Sequence, residues 1–143
     1  MVWPRLPAAL VPSARSERPR MEATLYICQT CRMGAPVPDD GIVPGERLLS
    51  AIQAEALPQG IRIEPVACLS ACSKGCAVAL GRPGSWTYVQ GGITPEDAAE
   101  VLTMARQYAE SAEGVVPWRE RSALFRKNTI ARIPPFALTK DTL

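Results

Sequence analysis

The five cysteines are the residues in this sequence whose type and spacing indicate chemistry. Cys28 and Cys31 form a C-x2-C pair, and Cys68, Cys72 and Cys76 form a C-x3-C-x3-C run after a gap of 36 residues. Thiolates are soft ligands that favour zinc, Cu(I) or iron–sulfur clusters. Four thiolates from two loops suit either a [2Fe–2S] cluster or a tetrahedral zinc ion. Because the chain contains no histidine, every site that needs an imidazole is excluded.

Composition narrows the function classes further. A disulfide framework is disfavoured, because the number of cysteines is odd and no secretion signal is recognisable. The charge is nearly balanced, with 16 Lys and Arg against 14 Asp and Glu, which argues against a general nucleic-acid binder. No apolar run approaches the roughly 20 residues that a membrane-spanning helix needs. We therefore expect a cytoplasmic protein that binds neither nucleic acid nor a membrane.

The first predicted elements form a βαβ unit. β-Rich patterns predict strands at 24–28 and 61–66, and apolar residues at helical spacing predict a helix that begins at Pro44. These elements should form a right-handed unit with parallel strands. Because Pro65 cannot donate a ladder hydrogen bond, the second strand should lie at a sheet edge.

A hairpin and a second helix complete the predicted domain. The runs 77–80 and 86–89 flank Arg82-Pro-Gly-Ser85, a sequence typical of a type II turn. A second helix is predicted from its cap Thr94 to Gly114. The βαβ-ββα order predicts a thioredoxin-like α/β single domain with a four-stranded mixed sheet in the order 2-1-3-4.

This arrangement should bring the cysteines together. Cys28 ends the first strand, Cys68 follows the second, and Cys76 precedes the third, which runs antiparallel. Parallel strands end on the same side of a sheet, and neighbouring strands lie only about 4.8 Å apart. Three chain segments should therefore carry five thiols to one edge of the domain.

The quoted motifs resemble two known families. The segment Val66-Ala-Cys-Leu-Ser-Ala-Cys72 is similar to the C-L-x-x-C motif of thioredoxin-like [2Fe–2S] ferredoxins. The stretch from Leu25 to Pro134 also resembles a bacterial family of predicted metal-binding proteins. The motifs that carry this resemblance are Cys28–Arg32 and Cys68–Ala79. The resemblance implies a [2Fe–2S] cluster on four ligands: Cys28, Cys31, Cys68 and Cys72.

Cys76 is an additional thiol in this comparison. It lies near the position where the ferredoxins commonly carry a proline that leads into the third strand. Cys76 is therefore either a ligand in place of Cys68 or a spare thiol beside the metal, so all five cysteines are candidate metal ligands. Arg32 and Lys74 adjoin ligand positions and could offset the negative charge of the thiolates.

Three functions stay open at this point. The favoured one is an electron carrier with a [2Fe–2S] cluster, which is not an enzyme in the usual sense. The second is a zinc- or cobalt-binding metallochaperone or structural module. The third is a thiol–disulfide oxidoreductase that uses Cys28 and Cys31, although thioredoxins start a helix directly after this pair and here the helix signal appears only near Pro44.

The two ends of the chain differ from the predicted domain at 21–114. Residues 1–20 hold four Arg, one Glu and four Pro, so they are either a disordered extension or the product of a mis-assigned start, with Met21 as the true first residue. Residues 115–143 are predicted to be a flexible, irregular basic tail.

The basic part of this tail, Arg119–Arg132, has five basic residues against one Glu, interleaved with aromatic and aliphatic residues. Either the tail packs across the domain with its charges solvated, or it docks on an acidic redox partner, with Phe136 as an anchor. A homodimer is expected only by analogy with the ferredoxins.

Overall fold

The structure is a computed structural model that describes residues 22–136. In this part of the chain five strands form one mixed sheet in the order β2-β1-β3-β4-β5, together with three α-helices. The strands are β1 (Ala23–Cys28), β2 (Ile61–Val66), β3 (Val78–Gly81), β4 (Thr87–Gln90) and β5 (Thr129–Ile133). The helices are α1 (Pro44–Ala54), α2 (Ala98–Glu110) and α3 (Ala123–Asn128).

Strand β1 lies between a parallel and an antiparallel neighbour. It pairs in parallel with β2, from Ala23 beside Ile61 to Cys28 beside Val66, and antiparallel with β3. Strand β2 is an edge strand, which confirms the position predicted from Pro65. The order of β1 to β4 in the sheet is the predicted 2-1-3-4, so the thioredoxin-like α/β fold is confirmed.

The hydrophobic core lies between the sheet and helices α1 and α2, which pack on each other and on β1. Apolar residues at helical spacing on α1 and α2 face the alternate residues of β1 and β3, as amphipathic elements require. Fully buried side chains of this layer are Leu25, Ile27, Leu48, Ile52, Val78, Leu80, Val101 and Met104.

The predicted turn between β3 and β4 is confirmed, since Gly84 has a φ of 73° and the Ser85 N–H donates to the Arg82 carbonyl. Helix α2 ends at Glu110, so the predicted end at Gly114 is wrong. The reason is the guanidinium of Arg82, which donates to the carbonyls of Ala109 and Ser111 and thereby satisfies the last turn before the glycine is reached.

The C-terminal segment corrects the prediction of an irregular tail and of a four-stranded sheet. Residues 123–128 form α3, and β5 pairs antiparallel with β4 as a fifth strand. Phe125 is fully buried and meets the Tyr88 ring edge-on, with 5.1 Å between ring centroids. Phe125 of this segment therefore packs inward, whereas Trp118, Ile130 and Ile133 are exposed. The predicted N-terminal extension at 1–20, and residues 137–143 of the tail, lie outside the described residues.

Arg121 joins this segment to the domain. Its Nε donates to the Val116 carbonyl, and its Nη2 donates to the Tyr88 hydroxyl, at 2.8 and 3.1 Å. Its guanidinium also lies over the rings of Tyr88, Trp118 and Phe125, at 5.2 to 5.6 Å from their centroids. Arg121, which in the sequence is one of several basic residues of the predicted tail, is therefore part of the packing between this segment and the domain.

None of the helices within residues 22–136 has the length and apolar character needed to cross a membrane.

We expect Arg121→Ala to lower the free energy of unfolding by about 2–4 kcal/mol, because it removes two hydrogen bonds from a charged donor and three cation–π contacts. Urea denaturation followed by tryptophan fluorescence measures the change. Arg119→Ala, at an exposed position two residues away, is the control and should change stability by less than about 0.5 kcal/mol. Equal stability of the two variants would contradict the packing of the C-terminal segment described above.

Candidate metal centre

Two loops at one end of the sheet carry the cysteines. Cys28 is the last residue of β1, and Cys31 follows in the loop before α1. Cys68 follows β2, Cys72 opens a 3-10 turn that ends at Lys74, and Cys76 leads into β3. All five are free thiols. The structure therefore brings the two predicted cysteine groups to the same end of the domain.

The first loop is fixed by three hydrogen bonds, two to the end of β2 and one from α1. The Gln29 N–H donates to the Val66 carbonyl, which joins the loop to the end of β2. The Thr30 hydroxyl donates to the next carbonyl, that of Ala67. On the other side, the Gly45 N–H in the first turn of α1 donates to the Cys31 carbonyl at 2.9 Å. The loop is therefore held between β2 and α1.

Gly45 is needed because the helix approaches the loop so closely. A Cβ at this position would contact the Cys28 carbonyl oxygen and would lie 2.9 Å from the Cys31 nitrogen. Glycine alone lets the first turn of α1 reach the backbone between the two cysteines.

The loop that carries Cys72 and Cys76 is tied to the segment after β4. Cys76 and Ile93 exchange both backbone hydrogen bonds, each at 3.0 Å, and the Gly92 N–H donates to the Lys74 carbonyl. Gly75 packs directly on the first loop, since a Cβ on it would overlap Cys31 Sγ. The peptide bond between Gly75 and Cys76 is cis. The two cysteine-bearing loops thus touch at Gly75.

The thiols of the two loops influence each other electrostatically. The pKa of Cys72 responds to Cys68, Cys28 and Cys31, and the pKa of Cys76 responds to Cys31 and Cys28. Cys28, Cys31 and Cys76 are buried, whereas Cys68 and Cys72 are exposed. Within residues 22–136, no three or more Cys, Asp or Glu side chains are arranged as a ligand group for a metal ion.

The surroundings shift the pKa values of the exposed thiols, Cys68 and Cys72, and of the buried thiol Cys76 in different ways. The Ser70 N–H donates to Cys68 Sγ at 3.1 Å and lowers the pKa of the Cys68 thiol. The nearby Cys68 thiol, through its charge and its hydrogen bond, raises the pKa of Cys72. Burial, followed by the Cys31 charge, raises the pKa of Cys76 to about 12, so Cys76 is a neutral thiol at physiological pH.

An open groove of about 680 Å³ runs along the first loop, and both Cys31 and Cys72 contribute to its wall. Arg32 lines the same groove, while Lys74 is exposed at the end of the neighbouring turn. The donor chemistry, soft thiols with cationic side chains beside them, is that of a thiolate-ligated metal site, although the described thiols are not gathered into one ligand group.

Four residues that build the site are missing from the sequence-based prediction. They are Thr30, Gly45, Ser70 and Gly75. Two of them could have been found from the sequence, because Thr30 lies inside the C-x2-C pair and Gly75 directly precedes Cys76. Ser70, at a φ of 57°, and Gly45 act through backbone geometry, which no spacing pattern reveals.

The sequence of residues 25–135 matches a family model with the description "Protein of unknown function (DUF1636)", so the chain belongs to this family. No curated protein matches the chain significantly. Among solved structures it is similar to a thioredoxin-like [2Fe–2S] ferredoxin from Aquifex aeolicus. The identity is 21% and the TM-score is 0.48, over 81% of this chain and 97% of the ferredoxin chain.

We expect Gly75→Ala to separate the two loops, because the added Cβ would overlap Cys31 Sγ. The predicted cost is about 1–3 kcal/mol of unfolding free energy, typical of overpacking, with faster alkylation of the displaced Cys31 by iodoacetamide. Denaturation in urea and peptide mass mapping measure the two effects. Gly81→Ala is the matched control, because a Cβ there meets its nearest atom at 3.6 Å. Unchanged stability and alkylation in Gly75→Ala would refute the contact between the loops.

Proposed function

We propose that this protein is a one-electron carrier that holds a [2Fe–2S] cluster on Cys28, Cys31, Cys68 and Cys72. The observation that carries the proposal is the convergence of five free thiols from two loops at one end of the sheet, where Cys31 and Cys72 line a groove. When bound, such a cluster supplies one-electron reduction and oxidation. The protein's part is to hold the thiolates, to shield them and to set their electrostatic surroundings.

Four thiolates suit either a two-iron cluster or a tetrahedral zinc ion, so the metal and sulfide content of the protein decides between the two kinds of centre.

Cys76 is the spare thiol in this proposal. It is completely buried. Its place at the start of β3, bonded through its backbone to Ile93, gives it a packing role behind Cys31.

Backbone donors would adjust the electronic properties of the centre. The Ser70 N–H already points at Cys68 Sγ, and donors to ligand sulfurs offset negative charge and raise reduction potentials. Cys68 and Cys72 lie at the surface, which gives electrons a short route between the centre and a partner.

Metal delivery is the second candidate function. The exposure of Cys68 and Cys72 would let a competing ligand reach a bound zinc or cobalt ion, as a metallochaperone requires. The thiol–disulfide alternative has less support, since α1 does not follow the Cys28–Cys31 pair directly but begins at Pro44.

Metal and sulfide analysis of anaerobically purified protein tests the proposed function. We expect two irons and two acid-labile sulfides per chain, with visible absorption bands that dithionite bleaches and air restores. One zinc or cobalt per chain, without sulfide and without bleaching, would instead establish the metal-delivery alternative.

Substitutions of single cysteines test the ligand set. Cys72→Ser should lose the centre, with less than about a tenth of the wild-type iron and sulfide, because a ligand thiolate is removed. Cys76→Ser has the same chemical change in the same loop and should keep both, which makes it the matched control. Iron, sulfide and the visible spectrum are measured for each variant. Loss of iron in Cys76→Ser would show instead that Cys76 is a ligand.

A further inference from the structure

We propose that Thr30 is a positioning residue of the thiol site, whose hydroxyl fixes the backbone that leads into Cys68 and acts on the sulfur of Cys28. The inference rests on the proposed function, because Cys28 and Cys68 are two of the four proposed ligands. Thr30 itself is not a ligand in this proposal.

Thr30 lies inside the C-x2-C pair of the first loop. Its side chain is exposed and contributes to the wall of the groove that Cys31 and Cys72 also line. Water alone could satisfy a hydroxyl at such a position. The contacts that this hydroxyl makes with the protein therefore indicate a role for it.

The hydroxyl of Thr30 lies where the two cysteine-bearing loops meet. It donates to the carbonyl of Ala67, the residue directly before Cys68. Its oxygen is also 4.0 Å from Cys28 Sγ, and Cys28 Sγ is in turn 4.0 Å from the Ala67 carbonyl oxygen. One hydroxyl thus contacts the sulfur of one proposed ligand and the backbone that leads into another.

The bond to Ala67 helps to determine where the chain leaves strand β2. The Val66 carbonyl already faces the first loop, where it accepts from the Gln29 N–H at 3.0 Å. Successive carbonyls of an extended strand point in opposite directions, so the Ala67 carbonyl can face the same loop only if the chain bends. The chain does bend at Ala67. Thr30 therefore stabilises the bend that sets the direction of the chain at Cys68.

The contact with Cys28 Sγ gives the hydroxyl a second role when a metal is bound. A metal-bound thiolate has no proton and can only accept hydrogen bonds, so the Thr30 hydroxyl is the donor in this pair. Hydrogen bonds to ligand sulfurs offset negative charge and raise the reduction potential of an iron–sulfur centre. Because the same hydroxyl serves the bend and the sulfur, its removal should affect both.

The test is Thr30→Val, which keeps nearly the shape of the side chain but removes the hydroxyl. Cobalt(II) titration of the metal-free protein, followed by the thiolate-to-cobalt absorption band, gives the metal affinity. We expect Thr30→Val to weaken cobalt binding about three- to tenfold, as the loss of one hydrogen bond predicts. Thr30→Ser restores the hydroxyl and should stay within about twofold of the wild type.

Two further measurements separate the roles of the hydroxyl. Amide hydrogen exchange at Gln29 in the metal-free protein reports on the junction between the loops, and it should become at least about threefold faster in Thr30→Val. The reduction potential of the iron-loaded protein reports on the sulfur, which a purely structural role would not change. It should be lower in Thr30→Val than in the wild type and restored in Thr30→Ser.

Thr103→Val is the matched control. The Thr103 hydroxyl also donates to a backbone carbonyl, that of Ala99 on α2, at 3.1 Å. This variant should leave cobalt affinity, exchange at Gln29 and the reduction potential unchanged. Equal effects of Thr30→Val and Thr103→Val would overturn the inference, as would a Thr30→Ser protein that behaves like Thr30→Val.

Iron and sulfide analysis of every sample separates this inference from the proposed function. A protein that holds the cluster, but whose cobalt affinity and potential do not respond to the Thr30 hydroxyl, overturns the inference alone. A protein that binds cobalt but no cluster overturns the proposed function, while the cobalt titrations still decide whether Thr30 positions the thiols. A protein that binds neither overturns both.

Discussion

The mixed pairing of strand β1 is the constraint on which the site depends. Because β1 runs parallel to β2 and antiparallel to β3, the end of β1, the end of β2 and the start of β3 lie at one end of the sheet. The directions of the three strands therefore suffice to bring cysteines at these three points close together. Changing the direction of a single strand would move one cysteine group to the opposite end of the domain.

Close backbone approach then turns this convergence into a compact site. The first turn of α1 reaches the C-x2-C loop only because Gly45 has no side chain, and the loop before β3 reaches Cys31 only at Gly75. Interiors are packed so densely that a single methyl group at such a point must displace its neighbours. The same principle operates at Gly91, where the C-terminal segment meets the cysteine loop. Three glycines therefore determine how the loops sit against each other and against the rest of the protein.

The βαβ unit, the hairpin and their sheet order could be predicted from the sequence, because periodic apolar runs, Pro44 and the Pro-Gly turn are local signals. The C-terminal segment could not be predicted in the same way. Its strand is mostly exposed, and its helix is only six residues long, so neither presents an apolar stripe of useful length. Its structure comes from tertiary contacts, above all the buried ring of Phe125 against Tyr88. The cysteine groups were visible from spacing alone, whereas the donors and glycines around them depend on backbone positions that exist only after folding.

The basic residues of the C-terminal segment show why charge counting alone misjudges function. In the sequence, Arg121, Arg132 and Lys127 are equivalent contributions to one positive run. In the structure the two arginines lie over aromatic rings, where a planar guanidinium gains packing and hydrogen bonds that an ammonium group does not match. Lys127 is exposed and keeps its charge in solvent. The fold thus divides one basic run into arginines that hold the segment in place by packing on aromatic rings and a lysine that contributes only surface charge.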